Sequence, residues 1–190
     1  MSILIKARVI DRVEDRDGGK MYKIEDIIKD LTEKIDIRLE DVPEIDLYMD
    51  QVLTLFNKYF PYNEGEQALT KTMINNYAKS GVIKPAVKKK YTKEHILMIV
   101  ITCLLKRDIS MTEIRDLVRD SDVEEAYSLY IDQKPFMNDS LLDAMGPIIR
   151  DLREERLVGR ENKLFDVLML CYYSNLLSET ARTIIRGEID

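Results

Sequence analysis

Apolar residues recur at steps of three and four through most of the chain, which is the spacing of amphipathic helices. We expect one such helix between Asp46, whose side chain can cap it, and Pro61, which ends it. Its apolar stripe consists of Leu47, Tyr48, Val52, Leu55, Phe56 and Tyr59. A stripe of this kind is ordinary material for a hydrophobic core.

The first thirty residues combine the pattern of a hairpin with that of a short helix. Residues 3–10 and 20–24 lie on either side of an Asp-Gly-Gly turn at 17–19, which predicts a short N-terminal β-hairpin. From Ile24 the apolar spacing becomes that of a helix. We expect this helix to end before Pro43, which breaks the pattern.

Cap residues mark the next two helices. Thr70 or Thr72 can begin a helix that Gly81 is placed to end. An extended segment of β-branched residues and a proline follows, and Thr92 then caps a helix over 93–107. That helix is apolar over nearly all its surface, so we expect it to be the central helix of the core.

The second half of the chain is expected to be helical, with breaks. Ser110 and Glu113 form a capping box that begins a short helix. Another short helix is expected over 122–131, and Pro135 and Asn138 then interrupt the helical pattern.

Two longer helices are expected over 141–157 and 163–185, separated near Gly159, with Pro147 starting or kinking the first. The segment LFDVLMLCYYSNLL in the last helix is apolar nearly all round. Such a helix is either buried within its own chain or part of a subunit interface, and the sequence favours neither. The second alternative would make the protein a homodimer.

Composition agrees with a soluble, helix-rich protein. The 190 residues are 45% hydrophobic and 34% charged, with seven glycines and five prolines, which excludes collagen-like and low-complexity chains. Cys103 and Cys171 lie in apolar segments, without a CxxC pair or a signal peptide, so we expect a cytoplasmic location. The longest apolar run, near residues 96–105, is too short for a bilayer, and we expect no membrane contact.

The net charge of −6 conceals a basic segment. Residues 71–93 contain seven lysines and no acidic residue, whereas residues 108–190 contain eighteen acidic and ten basic residues. Clustered lysines between acidic flanks indicate a nucleic-acid contact, because DNA phosphates attract them. A solvated surface and a contact with an acidic protein are the two alternatives.

Motifs of enzymatic chemistry are missing from the sequence, which has no GxxxxGK[ST], GxGxxG, GxSxG or HExxH. The single histidine, His95, has no Cys, Asp or Glu cluster around it at metal-ligand spacing, and we expect it on a helix surface. We therefore expect no enzyme, no metal and no cofactor.

The order of elements over residues 70–118 is helix, extended segment, buried helix, helix, which is typical of a winged helix-turn-helix. In that fold the second helix enters the major groove of DNA and a β-wing contacts flanking phosphates. We expect the recognition helix at 70–80 and a basic wing at 84–93. The expected contacts are Thr70, Lys71, Asn75, Asn76 and Lys79 on the helix, and Lys84, Lys88, Lys89, Lys90 and Lys93 around the wing.

Four polar or aromatic residues in this region admit two interpretations. Asn75 and Asn76 can pair with adenine edges, or they can be ordinary polar residues of a helix surface. Tyr77 and Tyr91 are expected to pack in the core or at the root of the wing rather than to stack on bases.

The segment MINNYAKSGVIKP, residues 73–85, resembles the recognition helix and turn of the MerR family of transcription regulators. The wing end Tyr91-Thr92 and the later SMTEIRDLV also resemble that family, so the similarity covers about fifty residues. Asn75 and Asn76 depart from the family's usual arginine and tyrosine, and the segment after Pro85 is shorter than the usual wing. The resemblance implies a winged helix-turn-helix more strongly than it implies a DNA sequence preference.

A closer resemblance links the chain to the bacterial family called domain of unknown function 1836. It rests on IDLYMDQVLTLFNKYF, LTKTMINNYAKSGVIKP and VKKKYTKEHILMIVI, and runs from about Lys23 to beyond Val118. The family implies a DNA-binding regulator through its own similarity to MerR-type proteins, without an established biochemical activity.

Together these observations predict a mainly α-helical protein with three parts. These are an N-terminal hairpin extension over 1–23, a winged helix-turn-helix domain over 24–120, and a C-terminal helical segment over 121–190 for dimerisation or an effector. The predicted function is transcription regulation by a homodimer on double-stranded DNA. The alternative is a non-enzymatic adaptor whose helix-turn-helix scaffold binds an acidic protein. Nothing in the sequence specifies an effector ligand.

Overall fold

Helices make up most of the described chain, as the apolar spacing predicts. The computed structural model describes residues 13–14, 20–21, 24–32, 36–59, 68–154 and 163–187. The chain divides into two units, one of residues 1–34 with 135–161 and the other of residues 35–134 with 162–190. The elements are β1 (Val13–Glu14), β2 (Lys20–Met21), α1 (Ile24–Thr32), β3 (Leu47–Tyr48), α2 (Met49–Tyr59), α3 (Lys71–Lys79), β4 (Lys90–Tyr91), α4 (Lys93–Leu105), α5 (Met111–Arg119), α6 (Val123–Glu154) and α7 (Lys163–Arg186).

The first unit contains the N-terminal hairpin and a helix that begins where the sequence predicts. β1 pairs antiparallel with β2, with Val13 opposite Met21. The expected first strand over 3–10, the turn at 17–19 and residues 22–23 lie outside the described residues, and Ile24, the expected end of the second strand, instead begins α1.

The core of the second unit is built around α4, as its all-round apolar surface predicts. Side chains 95–100 and Thr102 are buried on every face of this helix. The helix ends at Leu105, two residues earlier than expected, because residues 106–108 form a turn. Fully buried side chains from other helices complete this core, among them Val52 and Phe56 of α2, Ile74 of α3 and Ile114 of α5. The burial of Ile74 fixes which face of α3 is turned toward the core.

The start of α2 differs from the expectation. Leu47 and Tyr48 are extended and pair antiparallel with β4, Leu47 opposite Tyr91, so Asp46 does not cap the helix. The backbone N–H of Tyr48 instead donates to Gln51 Oε1 at 2.8 Å. The physical reason is that Leu47 and Tyr91, each 6% exposed, bury each other as strand partners 44 positions apart. Helical spacing cannot reveal such a long-range partner.

Both ends of α3 have the predicted caps. The Thr70 hydroxyl accepts from the Met73 backbone N–H at 3.2 Å. At the other end Gly81 has φ +75, the N–H of Gly81 donates to the Ala78 carbonyl, and the N–H of Val82 donates to the Tyr77 carbonyl, both at 3.1 Å. This pair of bonds is the Schellman motif, in which glycine is favoured.

Replacement of Gly81 by alanine should lower the free energy of unfolding by about 1 kcal/mol, because a Cβ is unfavourable at positive φ. An added Cβ would lie 3.5 Å from Arg115 Cδ, an ordinary contact, so the cost is in the backbone rather than in packing. Urea unfolding followed by circular dichroism measures this difference. The matched control is Gly146→Ala within a helix and with open space around it, which should be neutral or stabilising.

The helix breaks predicted at Pro135 and Asn138 are wrong, and no helix starts at Pro147. α6 runs without interruption from Val123 to Glu154. The Asn138 side-chain amide donates to the Thr32 carbonyl at 3.1 Å, so it does not compete with the helix backbone. A proline inside a helix removes one hydrogen bond, and the bonds of the many remaining turns of this 32-residue helix outweigh that loss.

The C-terminal helix confirms its prediction. α7 begins at Lys163 and ends at Arg186, and the predicted separation near Gly159 lies outside the described residues. Its last turns contact other parts of the second unit, where Arg182 donates to the Asp108 carbonyl at 2.6 Å and Ile185 packs against the core.

Candidate nucleic-acid interface

The exposed residues of α3 all lie on one face of the helix. Its inner face is fixed by Ile74 and Tyr77, which are buried. At about 100° per residue, the exposed residues span an arc of about 140°. They are Lys71, Thr72, Asn75, Asn76 and Lys79. The burial of α3 against α4 therefore presents four of the five predicted helix contacts to solvent, while Thr70 is half-buried and serves as the cap.

The lysine-rich segment folds back on itself in a two-residue turn. Val87 and Lys90 form an antiparallel bridge, and the Lys90 N–H donates to the Val87 carbonyl at 2.9 Å. Lys88 and Lys89 between them have φ +52 and +64. Two successive residues at positive φ define the type I′ turn of tight hairpins, where Asn-Gly is preferred. Lysine at such positions costs on the order of 1 kcal/mol each, so these side chains are held at the tip at the expense of backbone strain.

Three of the predicted wing lysines already have partners. Lys84 Nζ lies 2.9 Å from Glu94 Oε1, and Lys93 Nζ lies 2.8 Å from Glu44 Oε1. The hydrogen bond that Lys93 donates to Glu44 raises the pKa of Lys93. Lys90 Nζ lies 5.5 Å from the centre of the Tyr48 ring. These contacts stabilise the paired strands and α4, which is a structural role.

The remaining lysines of the basic segment have no such compensation. Lys71 and Lys79 on α3 and Lys88 and Lys89 on the hairpin tip are exposed and form no ion pair with any described residue. The structure therefore divides the seven predicted lysines into three with partners and four without, a division that sequence position alone does not reveal. Lysines without an acidic partner are the ones whose charge is available to an anion.

The two tyrosines of this region pack in the core, as expected. Tyr77 and Tyr91 are 5% and 6% exposed. The Tyr77 hydroxyl accepts from Lys106 Nζ at 3.2 Å, and the Tyr91 ring lies edge-on to His95. Neither ring is available to stack on a base.

The expectation that His95 lies on a helix surface is wrong. Its side chain is 6% exposed, and the backbone N–H of Thr92 donates to its Nδ1 at 3.2 Å in a capping box of α4. Because Nδ1 accepts this bond, the proton of the neutral ring is on Nε2. Nε2 is buried and has no hydrogen-bond partner among the described residues. A buried donor without an acceptor lowers the stability of the fold by about 1–3 kcal/mol.

His95 forms part of the wall of a pocket of about 720 Å³ in the second unit. The pocket lies between the turn that follows α3, the first turns of α4, the last turns of α5 and the start of α6. Its wall is apolar at Val82, Ile83, Met98 and Val118, and Arg115 and Arg119 add two guanidinium groups. Sequence reasoning missed this site, because its residues come from four different parts of the fold.

No group of three or more His, Cys, Asp or Glu side chains within the described ranges could hold a metal ion. Among the helices for which the structure gives coordinates, none is long and apolar enough to cross a membrane.

Comparison with known protein families places the chain. Residues 37–134 match the model of a family described as Domain of unknown function (DUF1836). The match covers 98 of the 190 residues, from 37 to 134 inclusive, so the chain belongs to this family. The matched range begins later than the resemblance in the sequence indicated and ends beyond Val118, as expected, and it lies entirely within the second unit. Searches of the curated proteins and of the solved structures found no match.

Proposed function

We propose that this protein binds double-stranded DNA through α3 and the hairpin that follows it, and regulates transcription. The observation that carries the proposal is the group of four exposed lysines without an acidic partner, Lys71, Lys79, Lys88 and Lys89. They belong to a chain whose net charge is −6. These lysines give one face of α3 and the hairpin tip a local positive charge in an otherwise acidic protein. Such a surface attracts an anion such as the DNA backbone.

The order of the elements supports a winged helix-turn-helix of the MerR type. α2 and α3 would be the two helices, with α3 in the major groove, and the hairpin of residues 87–91 would be the wing. Asn75 and Asn76 share the exposed face of α3 with the lysines, and an asparagine amide can bond both N6 and N7 of adenine. The lysines would contact phosphates and position the helix.

A salt series measures this binding. We expect the anisotropy of a labelled mixed-sequence duplex to report binding whose log-log slope against salt is about −3 to −6, as four to six phosphate contacts give at about −0.9 each. No binding at low salt would reject the proposal. The basic surface would then be assigned to an acidic protein partner, and a pull-down of such a partner without DNA would test that assignment.

We further propose that the DNA-binding form is a homodimer paired through α7. Residues 164–177 of this helix contain one charged residue, Asp166, and most of their large apolar side chains are exposed. A second copy of the same helix offers an equally apolar surface with a single charged residue, so pairing would bury little charge. Two-fold pairing also suits a regulator, because half-sites in operators are related by two-fold symmetry. The exposed residues are Leu164, Phe165, Val167, Leu168, Leu170, Tyr172, Leu176 and Leu177.

The variant Leu177→Glu should weaken dimerisation about 100-fold, because a two-fold interface would bury the new carboxylate twice. Leu177 is 70% exposed in one chain, so the monomer should keep its fold and its helix content. Sedimentation equilibrium over a concentration series measures the dissociation constant. Thr112→Glu adds the same charge at an exposed position of α5 and should leave it unchanged. A monomeric parent protein at all concentrations would contradict the dimer.

A further inference from the structure

We propose that the pocket between α3, α4, α5 and α6 binds a small organic carboxylate with an apolar body. The site stands apart from the DNA proposal, since its wall includes none of the four uncompensated lysines. Three features of its wall, considered in turn, define this ligand: an unsatisfied donor, an excess of positive charge and an apolar surface.

The unsatisfied donor is Nε2 of His95. The Thr92 N–H commits Nδ1 as an acceptor, which places the ring proton on Nε2. Nε2 is buried and finds no acceptor among the described residues, although the residue lines the pocket. Buried polar groups are nearly always paired in folded proteins. An oxygen acceptor of a ligand would supply the missing partner.

The excess of positive charge comes from two arginines that share one carboxylate. Arg115 donates from Nε and Nη2 to Asp116 Oδ1, and Arg119 donates from Nη2 to the same oxygen. Asp116 does not line the pocket, whereas both arginines do. Two guanidinium groups and one carboxylate leave one positive charge, and planar guanidinium donors match a carboxylate.

The acidic groups of the wall make their contacts outside the arginine pair. Glu94 pairs with Lys84, and Glu124 lies 3.8 Å from Lys93, which also pairs with Glu44. Asp122 accepts the backbone N–H of Glu125 at 3.0 Å, which caps α6. The positive charge that a monoanion would meet is therefore local to Arg115 and Arg119, whose guanidinium groups keep donors that Asp116 does not use.

The apolar part of the wall requires a ligand whose body, apart from its carboxylate, is apolar. Val82 and Ile83 come from the turn after α3, Met98 from α4 and Val118 from α5. A volume of about 720 Å³ accommodates a one- or two-ring aromatic acid. The ligand class is thus an aryl or short branched alkyl carboxylate, with its carboxylate at Arg115 and Arg119.

The sole histidine of the chain gives a specific readout, once any affinity tag is removed. Titration of the ¹⁵N-labelled full chain with 1-naphthoate should shift the His95 ring resonances, with saturation at about 1 mM or below. Binding to the apolar surface of α7 would not move these resonances in the same way, because α7 contributes no residue to the pocket wall. The neutral analogue 1-naphthamide should bind at least about tenfold more weakly.

A double variant tests the arginines. Arg115→Gln with Arg119→Gln should weaken naphthoate binding at least about tenfold without altering the His95 tautomer, since the bonds to Thr92 remain. Arg38→Gln is the matched control, because Arg38 is exposed, pairs with Glu40 and lies outside the pocket. Equal binding of naphthoate and naphthamide, unchanged affinity in the double variant, or no shift up to about 10 mM ligand would each overturn the proposal.

Discussion

Neutralising Lys71, Lys79, Lys88 and Lys89 together should weaken DNA binding by between about three and four orders of magnitude at 0.1 M salt. Each phosphate contact contributes about 0.9 to the log-log slope, so each is worth about 0.9 decade between 1 M and 0.1 M salt. Four contacts then account for a slope change of about 3.6. The same anisotropy series on the variant measures both the slope and the affinity.

The substitutions can remove charge without disturbing the backbone. Lys71→Gln and Lys79→Gln keep good helix formers on the exposed face of α3. Lys88→Asn with Lys89→Gly installs the pair that the type I′ turn prefers, so the hairpin should become more stable while it loses two charges. A loss of DNA affinity in a variant with a stabilised turn therefore reports the charges rather than a damaged fold.

The paired lysines provide the control. Lys84→Gln with Lys93→Gln removes two charges, as many as the hairpin variant Lys88→Asn with Lys89→Gly. Its two lysines are the ones bound to Glu94 and Glu44. We expect this double variant to change the slope by less than half as much as the hairpin variant. Equal slopes for the two variants would show that net charge alone governs binding, and the assignment of the contacts to the hairpin tip would be wrong.

Replacing Ile99 by alanine should lower the free energy of unfolding by about 4 kcal/mol. Ile99 is fully buried in α4, the helix whose side chains are buried on every face. Truncation of such a side chain loses its transfer free energy and leaves a cavity that rigid neighbours cannot fill, which costs about 2–5 kcal/mol. Urea unfolding followed by circular dichroism measures the change, with an unaltered slope against urea as the sign of an unchanged unfolded state.

Ile45→Ala is the matched control for this prediction. Ile45 is 70% exposed in the segment before β3, so the same atoms are removed from a side chain that is already in water. We expect a change within about 0.5 kcal/mol. Similar losses at the two positions would show that α4 is not the centre of the core.

Residues close together in the sequence carried the correct predictions. The caps at Thr70 and Ser110 and the glycine turn at Gly81 involve bonds between residues at most five apart, and such bonds leave a signature in a short window. The all-round apolar surface of α4 likewise predicted its burial. Membership of the family rested on local motifs too.

Residues far apart in the sequence defeated the same reasoning. β3 exists because Leu47 meets Tyr91, and no window containing Leu47 includes that partner. α6 continues through Pro135 because the loss of one backbone bond is smaller than the gain from the continuous helix around it. His95 is buried because the core encloses the first turn of α4. From the sequence alone, a single histidine in this helix was expected on its surface.

The sequence by itself determined the helical class, the caps, the core helix and the basic segment, because periodicity, capping and charge are properties of neighbouring residues. Only the tertiary structure decided which lysines are free. Lys84 and Lys93 find acidic partners across the fold, while Lys88 and Lys89 are held at a strained turn without one. It also decided where a pocket forms, since packing brings together side chains from segments that are independent in sequence.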